Sequence, residues 1–133
     1  MTDQALVDLA FQMLERSYVP YSKFPVGAAI ECADGTVFTG CNIENAAYGS
    51  TICAERTALV KAVSEGHQDD LKRIAIVGRS VDYCWPCGSC RQMLYEFAPD
   101  LTVLVARGDG KFVTLPLADL LPHGFGPKDL TML

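Results

Sequence analysis

Two short cysteine motifs, each placed where a helix begins, constrain this chain more than any other feature. Cys87-Gly88-Ser89-Cys90 is a C-x-x-C pair introduced by Pro86, and Cys87 to Phe97 reads as a helix with proline at its entry. Thirty-four positions upstream, Cys53-Ala54-Glu55 opens a stretch rich in Ala, Leu, Glu and Lys that runs to Glu65 and stops at Gly66. Helical residues three apart share a face, so Cys87 and Cys90 can reach one metal ion. Residues two apart point to nearly opposite sides, so Cys53 and Glu55 serve one site only at the helix N-terminus, close to the axis. Helix N-termini also favour thiolates, because their free N–H groups and macrodipole stabilise negative charge. A fold that uses both motifs together must therefore bring two helix starts to one point. Taken alone, the C-x-x-C pair also fits a redox dithiol or half of a zinc ribbon, but Cys32, Cys41 and Cys84 supply no second C-x-x-C pair separate from Cys87.

The rest of the chain supplies the scaffold. Ala5, Leu6, Leu9, Phe11, Met13 and Leu14 recur at helical spacing, with Asp3 as a cap and Pro20 as the stop. Val26 to Cys32 and Val37 to Cys41 flank Ala33-Asp34-Gly35-Thr36, which predicts a β-hairpin with an Asp-Gly turn. Ile74 to Gly78 and Leu101 to Ala106 read as buried strands, and Val113 to Leu115 as a short edge strand. Helical pieces fall near Leu117 to Leu121 and Lys128 to Leu133. This order implies a mixed sheet with helices on both faces. With 133 residues and no repeat, linker or low-complexity tract, residues 1–133 read as one domain.

Composition narrows the function classes. Eleven Lys and Arg against sixteen Asp and Glu give a net charge of −5, which repels nucleic-acid phosphates. Six cysteines in 133 residues fall well below the ~8–10% of a disulfide scaffold. No leader-like N-terminus or bilayer-length apolar run is present, so the expectation is a reducing, cytoplasmic location without membrane partners, where clustered cysteines bind metal or do chemistry. Counted with glycine and without tyrosine, about 54% of the chain is apolar, above the roughly 45–50% of ordinary soluble domains. Some of that surplus is expected between subunits.

Three thiolates with one open coordination position is the pattern of a catalytic zinc, and Glu55 is then the natural base beside a metal-held water. At this level of detail, Cys53-Ala-Glu55 with Pro86-Cys87-x-x-Cys90 resembles the zinc-dependent nucleoside cytidine deaminases in their three-cysteine form. The resemblance extends from Pro20-Tyr21-Ser22-Lys23-Phe24-Pro25-Val26-Gly27-Ala28 through Asn42-Ile43-Glu44-Asn45 to Leu121-Pro122-His123-Gly124-Phe125-Gly126-Pro127, nearly the whole chain. It implies a three-layer α/β/α sandwich with a mixed sheet of about five strands. It also implies one Zn2+ per chain on Cys53, Cys87 and Cys90, and hydrolytic deamination of free cytidine and deoxycytidine in pyrimidine salvage. In that reaction zinc-activated water attacks C4, while Glu55 takes a proton from the water, passes it to ring N3 and assists departure of ammonia.

The same resemblance assigns Phe24 to the base, Asn42 and Glu44 to the ribose hydroxyls, and backbone groups around Ala54 to the pyrimidine edge. Asn42 and Glu44, two apart on a strand, would point the same way and grip one sugar edge. Tyr48 and Phe125 fall where the family's residues complete a neighbouring subunit's pocket in a homotetramer; the alternative is burial in their own subunit's core. Three thiolates on one Zn2+ leave a net negative site, and Arg56 and Arg91, each following a motif residue, are placed to offset it by hydrogen bonds to sulfur; the alternative is ordinary salt bridges. Cys32 and Cys41 read as small core hydrophobes, and Cys84 is held off the metal by Trp85-Pro86. Trp85 departs from the family, which usually has a small residue before Pro-Cys. Neither His67 nor His123 fits the zinc motif. Competing readings are a deaminase of a nucleoside-like antibiotic, a deaminase of bases in nucleic acid, which the acidic balance disfavours, and a non-catalytic zinc module holding two helices together.

Overall fold

The Asp-Gly turn forms as the sequence predicts, and the sheet grows from it. Gly35 takes φ +92°, a left-handed conformation natural to glycine, and Asp34 Oδ1 accepts the Thr36 N–H at 2.9 Å. The computed structural model, which describes residues 1–132, pairs β1 (Val26–Cys32) with β2 (Val37–Cys41) at the expected bounds. β3 (Leu71–Gly78), β4 (Thr102–Ala106) and β5 (Phe112–Pro116) complete a five-stranded sheet of order β2-β1-β3-β4-β5. β3 and β4 are parallel and every other pair is antiparallel, so the sheet is mixed.

Strand alternation divides the core into two layers. Ala28, Ile30, Ile74, Ile76, Val103 and Val105 face α2 (Ala54–Ser64) and α3 (Gly88–Phe97). Ala29, Ala75, Val77, Leu104 and Ala106 face Leu6, Val7 and Ala10 of α1 (Asp3–Gln12). The arrangement is the expected three-layer α/β/α sandwich, and each fully buried Leu or Ile contributes roughly 1.5–3 kcal/mol to it.

Several boundaries differ from those the sequence predicts. The cap of α1 is Thr2, whose hydroxyl accepts the Ala5 N–H at 3.1 Å, and Asp3 is the first helical residue, paired with Arg73. The helix closes through a 3-10 turn at Met13–Arg16, before Pro20 is reached. β3 begins at Leu71 rather than Ile74, because Arg73, polar in sequence, lies opposite Glu31 on β1 and is neutralised by it. α4 (Leu117–Leu120) is a single turn, and the last helical piece is a 3-10 turn at Pro127–Leu130, with Leu133 outside the described residues. Among the described residues no helix is long and apolar enough to cross a membrane.

Candidate metal centre and active site

β2 and β3 finish at the same end of the sheet, and the N-termini of α2 and α3 converge there on one cavity. Cys53 is the N-cap of α2 and Cys87 the N-cap of α3, both in extended backbone conformation and neither using its side chain as a cap. The sulfurs are therefore free to point away from their own helices. Thr57 fixes the start of α2, its hydroxyl donating to the carbonyls of Cys41 and Cys53 at 3.1 Å. Gly40 lets the helix approach: a Cβ there would lie 2.5 Å from the Ala54 carbonyl oxygen and 2.6 Å from the Ala58 nitrogen.

The sulfurs of Cys53, Cys87 and Cys90 lie within 4.8 Å of one another, and Cys87 Sγ is 3.5 Å from Cys90 Sγ. Tetrahedral zinc with Zn–S of about 2.3 Å sets sulfurs about 3.8 Å apart, so the cluster fits that ion. Its electrostatics agree. Hydrogen bonds from the Cys90 thiol and then from Arg56 bring the Cys53 thiol down to about 5, while sharing with Cys53 and burial push Cys90 well above its ordinary value. Negative charge concentrates on Cys53, and a divalent cation is what would let Cys90 ionise beside it.

Glu55 is 4% exposed, and burial first, with the neighbouring Cys53 charge, raises its carboxyl to about 7. It lines a cavity of about 240 Å3 with Cys53, Cys87, Ala54, Phe24 and Asn42. Val26, Thr51, Cys84 and Trp85 form the remaining wall. Cys84 thus has two roles that spacing does not reveal: it packs on Gly78 and faces the cavity, where burial, Glu55 and Cys53 push its thiol to about 12. Thr51 carries no motif that would have singled it out.

The arginines divide. Arg56 Nη2 donates to Cys53 Sγ at 3.5 Å, the contact expected of it, and its buried Nε has no partner among the described residues. Arg91 does not reach sulfur. Its Nε donates to the Pro86 carbonyl at 2.7 Å and its Nη1 to the Leu120 carbonyl at 2.9 Å, so it clamps the loop before α3 to the end of α4. Nor does it form a salt bridge among the described residues.

Asn42 and Glu44 lie beyond the end of β2, not on one strand. Asn42 Oδ1 accepts the Val26 N–H at 2.9 Å and Nδ2 donates to the Phe24 carbonyl at 2.8 Å, holding Phe24 at the cavity mouth. Glu44 accepts the N–H groups of Tyr21 and Ser22 at 3.0 and 3.1 Å and lines an adjoining cleft with Tyr48; Thr51 borders both spaces. Tyr48 is 74% exposed and Phe125 59% exposed, so neither is buried in the core of its own chain. Phe125 lies in a separate surface hollow with His123 and Lys128.

The comparisons with known proteins agree with this geometry. The family model "Cytidine and deoxycytidylate deaminase zinc-binding region" matches residues 1–106. A cytidine deaminase of Halalkalibacterium halodurans is 46% identical over 131 residues, 98% of each chain. A blasticidin-S deaminase of Bacillus cereus is 34% identical over 127 residues, covering 90% of this chain and 89% of that one. The crystal structure of cytidine deaminase from Burkholderia pseudomallei superposes with a TM-score of 0.91 at 44% identity, covering 94% of this chain and all of that one. On a family match spanning most of its length and relatives this similar end to end, the chain belongs to the cytidine and deoxycytidylate deaminase zinc-binding family.

Proposed function

We propose that this chain, as one catalytic domain over residues 1–133, hydrolytically deaminates free cytidine and deoxycytidine to uridine and deoxyuridine, releasing ammonia. The observation that carries the reading is a cluster of three cysteine sulfurs, two of which line one cavity together with the buried Glu55 carboxyl. Cys53, Cys87 and Cys90 would hold one zinc ion, which when bound would supply a water acidified toward neutrality.

Glu55 moves the protons. Burial raises its carboxyl above the ordinary carboxylate range, which suits a group that first accepts a proton and then returns it to ring N3 and the departing amino group. Arg56 offsets the charge on the Cys53 sulfur. Phe24 packs on the base, and the N–H at Ala54, in the first turn of α2, meets the pyrimidine edge. Asn42 keeps one amide hydrogen beyond its bond to Phe24, available to a ribose hydroxyl. The Glu44 carboxylate, beside the same mouth, favours an uncharged sugar over a phosphate.

Tyr48 and Phe125, exposed on the isolated chain, complete the pocket of a neighbouring subunit in a homotetramer. A cytoplasmic enzyme of pyrimidine salvage accords with the free cysteines and acidic surface. Incubating zinc-loaded protein with cytidine, deoxycytidine, cytosine, CMP, dCMP and blasticidin S, and following ammonia release, tests the proposal. The two nucleosides should turn over fastest. No ammonia from cytidine refutes the reading, and faster release from blasticidin S moves it to the antibiotic-deaminase alternative that the Bacillus cereus relative represents.

A further inference from the structure

A second cluster of metal-binding side chains stands at the other end of β1. Cys32, the last residue of that strand, and His67 and Asp70, in the loop joining α2 to β3, bring a sulfur, an imidazole nitrogen and a carboxylate oxygen within 4.8 Å of one another. None of the three lines the cavity that holds Glu55.

The backbone under the cluster is fixed. Ala33 N–H donates to the Asp70 carbonyl at 2.7 Å, Cys32 N–H to the Thr36 carbonyl at 2.8 Å, and His67 N–H to the Ala62 carbonyl at 3.0 Å, so turn and loop are tied before any ion arrives. His67 is oriented from two sides: Nδ1 lies 3.0 Å from Asp70 Oδ1, and the ring packs on Phe38 at 5.5 Å between centroids. With both residues as ligands, a bound cation would replace the proton shared between His67 Nδ1 and Asp70 Oδ1. The Cys32 side chain is 1% exposed and makes no hydrogen bond among the described residues. Asp70 sets a carboxylate oxygen within 4.8 Å of that sulfur. An unpartnered thiol among carboxylates gains from a cation, whereas a His–Asp pair alone gives that sulfur no partner.

We propose that Cys32, His67 and Asp70 form a second divalent-metal site, suited to zinc, that pins the β1–β2 turn to the α2–β3 loop. Mixed sulfur, nitrogen and oxygen donors select zinc or cobalt over magnesium or calcium. The site stands apart from deamination, so its loss leaves turnover intact.

The test starts from protein carrying the one zinc of the Cys53–Cys87–Cys90 centre. Equilibration with excess zinc, then dialysis and elemental analysis, should leave a second equivalent bound. Cobalt added to the same protein should give thiolate-to-metal charge-transfer absorption. Cys32→Ala should abolish that absorption and the second equivalent, while keeping the first equivalent and cytidine turnover. His67→Gln, at a partly exposed position that folding tolerates more readily, should lose the second equivalent in the same way. Wild-type protein that stops at one equivalent, or a second equivalent that survives in Cys32→Ala or His67→Gln, overturns the proposal.

Discussion

At the residue scale, the proposed mechanism separates a group that would move protons from groups that would hold metal. Glu55 lies in the cavity but is not among the clustered sulfurs, so Glu55→Gln should leave zinc content and melting temperature unchanged while turnover falls by about 10²–10⁴ or more. Wild-type turnover in that variant would remove Glu55 from the mechanism. Cys87→Ala should instead lower both zinc content and thermal stability, because bound metal also contributes to folding. The two arginines give a sharper contrast, since they look equivalent in sequence. Arg56→Ala removes the donor to Cys53 and should weaken zinc retention about 10–100-fold, measured by competition with a chelator. Arg91→Ala removes two bonds to backbone carbonyls and should cost stability while zinc affinity changes less. Equal loss of zinc affinity in both variants would contradict the division.

At the scale of elements, the site depends on how closely α2 lies against the sheet. A methyl at position 40 would meet backbone atoms of α2, which cannot swing aside as a side chain can. Gly40→Ala should cost about 3 kcal/mol in urea unfolding and lower zinc affinity by displacing Cys53. On the other layer, Glu31 of β1 takes two bonds from Arg73 of β3, at 2.9 and 2.8 Å, and these bonds hold its carboxyl below the ordinary 4.5. The unfolded chain therefore binds a proton at Glu31 more readily than the folded one. The stabilisation is present in full above about pH 4.5 and is lost as pH falls through the depressed folded-state value. Glu31→Gln should cost about 3 kcal/mol at neutral pH and flatten the acid limb of stability against pH. An unchanged acid limb would show that the pair does not set it. The same pair explains what the sequence leaves hidden. The hairpin and both catalytic helices are legible because Asp-Gly, Gly66 and Pro86 are local signals, read without knowing the partner strand. Arg73 is extended only because Glu31 lies across from it, Arg91 finds carbonyls that any sequence would offer, and Asn42 and Glu44 are placed by hydrogen bonds to the segment carrying Tyr21 to Val26. Such long-range partners leave no periodic trace in the chain.

At the scale of the whole molecule, the proposed homotetramer would complete each pocket with residues of a second chain. Phe24 and Asn42 border the cavity, but Tyr48 projects from an adjoining cleft and Phe125 lies in a different hollow, both largely exposed. Large exposed aromatics at such positions are explained if each closes the cavity of another subunit, and this also gives the apolar surplus of the sequence a place to be buried. Mixing variants tests the arrangement directly. Glu55→Gln lacks the proton shuttle but keeps Phe125, and Phe125→Ala keeps the shuttle but lacks the aromatic ring. Each homo-oligomer should be weak. If the ring acts on the neighbour's cavity, dissociating and reassembling an equal mixture should restore complete sites wherever a Phe125→Ala chain receives its ring from a Glu55→Gln chain, about a quarter of all sites under random assembly. If the ring served its own chain, no mixture would contain a complete site and activity would stay at the average of the two parents. Recovery of activity on mixing therefore distinguishes a shared pocket from a self-contained one, independently of any change in oligomer size.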